Sequence, residues 1–219
     1  MTRRALTVLL PGLLGIPILA MAGGWAVITV EALPDHAVMG RPVDLAFVVR
    51  QHGLTMLEGL EASVEAKAAG REVTAPAKPG SRKGHYSASL TLPGAGDWTI
   101  TIHSGFGNSR ITLLPLKVID ANAAPPPAPS GVERGRRLFV AKGCITCHIH
   151  GDVAATTLVE VGPELTYKRY QAEYLSRLLA DPSIAAKPGA PSRMPNLELK
   201  TAEIASLVAF VNAERAAGR

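Results

Sequence analysis

The chain holds two cysteines, three apart, and a histidine follows the second directly: Cys144-Ile145-Thr146-Cys147-His148. Nothing else can pair with them, so no disulfide framework staples a chain of 219 residues. The spacing suits one task. Each sulfur of a Cys-x-x-Cys-His segment adds to one vinyl group of a porphyrin, and two intervening residues match the vinyl separation. The adjacent histidine then reaches the iron. Zinc would need Cys144, Cys147, His148 and His150 to close a tetrahedron from ligands crowded in sequence. A thioredoxin-like redox pair would need a βαβ setting that the flanking pattern lacks. The expectation is one haem c, covalent through Cys144 and Cys147, with His148 as an iron ligand.

A Pro-rich segment, residues 121–131, divides the chain. Polyproline II rises about 3.1 Å per residue, so the segment reads as a stiff spacer able to hold its neighbours roughly 30 Å apart. Before it the pattern has period two. Val43, Leu45, Phe47 and Val49 alternate with more polar neighbours, and so do Ala62, Val64 and Ala66, then Tyr86, Ala88, Leu90 and Leu92, then Trp98, Ile100 and Ile102. Turn clusters such as Pro93-Gly94-Ala95-Gly96-Asp97 separate the runs. About seven strands over residues 23–120 predict an all-β antiparallel sandwich, Ig-like in architecture. Gly40-Arg41-Pro42-Val43, Gln51-His52-Gly53, Gly84-His85-Tyr86 and Gly96-Asp97-Trp98 are laid out in a way that resembles the small YtkA/FixH-type domains.

After the spacer the period changes. Helices are expected over 132–142, with Arg134, Arg136 and Arg137 facing outward, over 170–179 and over 201–213. In the last, Ile204, Leu207, Val208 and Val211 share one face. The remainder of residues 132–219 is loop, which needs something to pack around. Gly135 and Phe139 before the motif, Gly162-Pro163-Glu164-Leu165 after it, and Arg193-Met194-Pro195 before the last helix resemble class I cytochrome c. That resemblance implies an all-α fold around the haem. It also implies that Gly135 and Phe139 pack on the last helix at Leu207 and Phe210, that Leu165 belongs to the haem-contacting turn, and that the Pro163 carbonyl accepts a hydrogen bond from His148 Nδ1–H. Lys200 stands where the family often has a capping serine or threonine, and Thr201 is the expected substitute.

The sixth iron ligand is argued by elimination. Met194 is the only methionine after the spacer, and His150 is too close to His148 in sequence to reach the other face. A His148/Met194 pair leaves no substrate position and favours outer-sphere electron transfer over catalysis. Lys142, Lys187 and Arg193 are candidates for steering an acidic redox partner. Two other readings stay open. One is a copper-handling accessory protein drawing on His36, Met39, His52, Met56 and His103. The other is a haem enzyme or sensor with an open distal position.

The formal charge of +5 does not point to nucleic acid. The leader carries +2, residues 23–120 balance, and residues 131–219 carry +3 without a dense basic stripe. Arg3 and Arg4, an apolar run from Ala5 to Ala20, and Ala20-Met21-Ala22 follow the order of a secretory signal over residues 1–22. Apolar character continues to Val30, long enough for an uncleaved anchor, although Trp25–Glu31 also reads as a first strand. Either reading puts the domains in the periplasm or another extracytoplasmic space. The expected partners are redox proteins, a membrane-bound electron-transfer complex above all, with no nucleic acid and no small-molecule substrate.

Overall fold

The computed structural model describes residues 24–159, 161–190 and 192–214. The leader reading falls on residues outside these. Among the described residues no helix is long and apolar enough to cross a membrane.

Among the described residues the N-terminal half has eleven strands. They are β1 (Ala26–Val30), β2 (His36–Val38), β3 (Pro42–Gln51), β4 (Thr55–Met56), β5 (Ser63–Ala68), β6 (Arg71–Pro76), β7 (Lys78–Pro79), β8 (His85–Thr91), β9 (Gly96–His103), β10 (Arg110–Thr112) and β11 (Leu116–Ile119). One sheet runs β1-β3-β8-β7 with β4 paired to β3. The other runs β2-β11-β9-β5-β6 with β10 paired to β9. All pairs are antiparallel except β2 with β11. The surplus over seven strands consists mostly of two- and three-residue pieces, too short to show a period. The alternating residues named above are buried between the sheets. Trp98 is fully covered, and its indole N–H donates to the Gly94 carbonyl at 2.8 Å, so its polar edge is satisfied.

The C-terminal half contains α1 (Gly131–Ala141), α2 (Ala172–Ala180) and α3 (Thr201–Val211). Ser130 caps α1, its hydroxyl accepting the Glu133 N–H at 3.2 Å. At α3, Lys200 is the N-cap residue and Thr201 begins the helix; the Glu203 carboxylate accepts the Lys200 N–H at 2.9 Å. Helices α1 and α3 cross in close backbone contact at Gly135. A Cβ there would stand 1.9 Å from the Ser206 carbonyl oxygen. Phe139 and Phe210 meet one turn along, with ring centroids 5.6 Å apart.

The two halves are not held apart, which corrects the spacer reading. Arg134 pairs with Asp35, and Arg137, expected to face solvent, is buried and donates to the carbonyls of Asp35 (3.0 Å) and Pro34 (3.3 Å). Val140 and Ala141 of α1 join the sandwich core. Every residue of β1 is buried because both faces of the strand are covered. Ala26, Ile28 and Val30 enter the sandwich, while Val27 and Thr29 face the helical half. The linker's composition sets its local stiffness, not the direction in which it delivers the next helix.

Candidate functional site

Gly143 stands at φ +80°, in the left-handed region that favours glycine, and turns the chain out of α1 into a single 3-10 turn, Cys144–Thr146. The N–H groups of Cys147 and His148 donate to the Cys144 carbonyl at 3.1 and 2.9 Å. This short coil directs Cys144, Cys147 and His148 into one cavity of about 650 Å³. Its remaining wall is largely apolar, and Phe139, Pro163, Leu165 and Met194 belong to it. Each candidate cofactor residue from the sequence therefore borders the same space.

The orientation of His148 follows from its neighbours. Its Nδ1 lies 2.9 Å from the Pro163 carbonyl oxygen. A carbonyl only accepts, so Nδ1 carries the hydrogen and Nε2 keeps its lone pair. Gly162 presses against the ring: a Cβ there would lie 2.5 Å from His148 Cε1. Burial lowers the His148 pKa, opposed by the hydrogen bond to Pro163, and so favours the neutral, ligating form. Burial likewise pushes the Cys144 thiol up to about 12, helped by the neighbouring Cys147, and raises Cys147 as well. Both stay S–H at neutral pH.

Met194 is held by a local clamp. Its N–H donates to Ser192 Oγ at 3.2 Å, and that hydroxyl donates to the Met194 carbonyl at 2.9 Å. Ser192 is not among the candidates read from the sequence, although a serine two residues before a functional side chain is a recognisable turn-former. Tyr170 and Tyr174 also line the cavity. Asn212 fixes Tyr170 by two backbone hydrogen bonds, of 2.9 and 3.0 Å, that join the start of α2 to the end of α3. His150 is fully buried beside Phe210 and Phe139, at 4.1 and 5.3 Å between ring centroids, and is not among the cavity's lining residues.

Lys142 corrects another expectation. Only 3% of its side chain is exposed, and its ammonium meets Glu203 at 2.8 Å and the Glu31 carbonyl at 2.9 Å. It ties α1 to α3 and to the sandwich, and faces no partner. Lys187 and Arg193 are exposed residues of the cavity lining.

The sandwich histidines His36, His52 and His103 lie on separate elements: β2, the turn after β3, and β9. His36 pairs in register with Lys117, which lies opposite Asp97. His103 is six residues farther along β9, about 20 Å at strand rise. His52 and Met56 flank the β3–β4 turn. Among the described residues, no group of three or more His, Cys, Asp or Glu side chains is placed to hold a metal ion.

No curated protein matches the chain. Among solved structures it is similar to the Lin-41 filamin domain (14% identity, 42% of this chain and 91% of that one, TM-score 0.36). It is also similar to domains 4 and 5 of the S-layer protein SbsC (17%, 42% and 44%, 0.32) and to a superoxide reductase (neelaredoxin) from Ignicoccus hospitalis (16%, 47% and 86%, 0.30). Residues 132–213 match the family model for cytochrome c. The donor set fits the group this family carries: two protonated thiols at vinyl spacing and a neutral imidazole whose Nε2 keeps its lone pair, in one largely apolar cavity. The C-terminal half is a cytochrome c domain made for one covalent haem c, joined to an N-terminal β-sandwich.

Proposed function

We propose that the protein is an exported monohaem electron carrier in which His148 and Met194 would hold the haem iron. The observation that carries this reading is that His148, oriented by Pro163, and Met194, clamped by Ser192, line the one cavity that also holds Cys144 and Cys147. Bound there, haem supplies a one-electron Fe(III)/Fe(II) couple. The chain's own residues do the rest. Pro163 fixes the imidazole tautomer, the apolar wall excludes water from the cavity, and a Met194 thioether on the iron would favour the reduced state relative to a second histidine. Held by both His148 and Met194, a haem would have no position left for a substrate, and its chemistry would be electron exchange with a redox protein. Exposed Lys187 and Arg193 give the cavity rim a positive character suited to an acidic partner, such as a subunit of a membrane-bound electron-transfer complex. The leader pattern over residues 1–22 supports a periplasmic or extracytoplasmic location, which fractionation of cells producing the full chain tests.

The deciding experiment is Met194→Ala in the haem-loaded protein. The weak sulfur-to-iron band at the red end of the visible spectrum disappears, and the reduced variant binds carbon monoxide where the parent does not. An unchanged band removes Met194 as ligand. Carbon monoxide binding by the parent itself favours the open-iron reading.

A further inference from the structure

One wall of the haem cavity comes from the other half of the chain. Val27 of β1 lines the cavity and is only 2% exposed. Two glycines bracket it. On one side Gly143, the residue before Cys144, lies so close to β1 that a Cβ would stand 2.6 Å from the Ile28 carbonyl oxygen and 2.7 Å from Val27 Cγ1. On the other side Gly53, in the turn after β3, faces Pro195, the residue after Met194. A Cβ at Gly53 would lie 3.3 Å from Pro195 Cγ and 3.6 Å from Val27 Cγ2. The same strand continues the clasp: the Thr29 hydroxyl reaches the Lys142 carbonyl at 3.4 Å, and Lys142 reaches the Glu31 carbonyl at 2.9 Å. Beyond Pro195, Glu198 pairs with Arg82 of the sandwich at 3.6 Å. The chain segments leading into Cys144 and out of Met194 therefore both rest on the sandwich.

We propose that the β-sandwich is a structural part of the haem site: Val27 closes the cavity against water, and the Gly53 turn positions the Met194 segment through Pro195. The proposal rests on the electron-carrier reading for the role of Met194, whereas the part played by Val27 depends only on haem occupying the cavity. It assigns the sandwich a task in setting the haem environment, in which burial and solvent access tune potential.

The test uses the full-length, haem-loaded protein and two matched variants. Gly53 and Gly40 have φ of +76° and +75°, so valine strains the backbone alike at both, but a Cβ at Gly40 meets nothing within 4 Å. Gly53→Val is expected to weaken the red band and to raise several-fold the fraction of reduced protein that takes up carbon monoxide. Gly40→Val is expected to lose comparable stability with an unaltered spectrum. Identical haem behaviour in the two variants, whether both keep or both lose the band, overturns the positioning role. A second variant, Val27→Ala, covers the case in which Gly53→Val does not fold. Water admitted at the wall stabilises the oxidised, more highly charged haem, so the reduction potential falls, and hydrogen exchange at the Cys144 amide speeds up. An unchanged potential and exchange rate overturn the wall. If Met194→Ala leaves the spectrum intact, the ligand assignment fails by itself, and the Val27→Ala readings still decide whether the sandwich belongs to the site.

Discussion

Arg193 and Lys187 stand exposed beside the cavity, whereas Lys142 is locked between Glu203 and the Glu31 carbonyl. The three look equivalent as cations in the sequence, yet only the first two are available to a partner. Charge at an exposed rim acts chiefly on encounter rates and is screened by salt. Arg193→Glu should therefore slow electron transfer to an acidic partner protein roughly three- to ten-fold at low ionic strength, with the difference shrinking as salt is added. A stopped-flow salt series checks this, and equal rates at all ionic strengths would remove steering. At this scale the haem attachment was legible because Cys144, Cys147 and His148 are neighbours whose chemistry follows from spacing. The partner of Lys142 was not: Glu203 and Glu31 lie 61 and 111 residues away in the chain, and no local pattern reports such a meeting.

Among the elements, α1 and α3 show how one missing side chain shapes a helix pair. Gly135 lets the two backbones approach until the Ser206 carbonyl occupies the place of a Cβ. Gly135→Ala should cost about 3 kcal/mol or more, the upper end of overpacking penalties. Denaturant unfolding measures it, and a midpoint close to the parent's would mean that the crossing relaxes. This contact was foreshadowed by the resemblance to cytochrome c rather than by helix propensity, in which glycine is simply unfavourable. Strand β1 makes the complementary case. Ala26–Val30 is apolar but for Thr29, and such a run fits a membrane segment or a strand buried on both faces equally well. In the structure these five residues are a strand, and Val27 and Thr29 meet the cytochrome domain on the face that a solvated sheet would leave wet.

For the whole molecule, the interface predicts that the halves melt together. The outer face of β1 would lose its cover, and the buried Arg137 and Lys142 would lose the carbonyls of Asp35, Pro34 and Glu31, if the sandwich unfolded alone. Both tryptophans, Trp25 and Trp98, lie in the N-terminal half, while the Soret band reports the C-terminal half. Their thermal transitions should coincide, and two separate transitions would show the clasp to be weak. The sequence by itself determined the haem attachment site, the period-two strands of the sandwich and the helical character of the second half, because each is a local relation among neighbouring residues. Only the tertiary structure decided that the Pro-rich segment joins two packed domains rather than separating them, and that Val27 of one lines the haem cavity of the other. Periodicity shows which face of an element is apolar; what covers that face depends on contacts between residues more than a hundred positions apart.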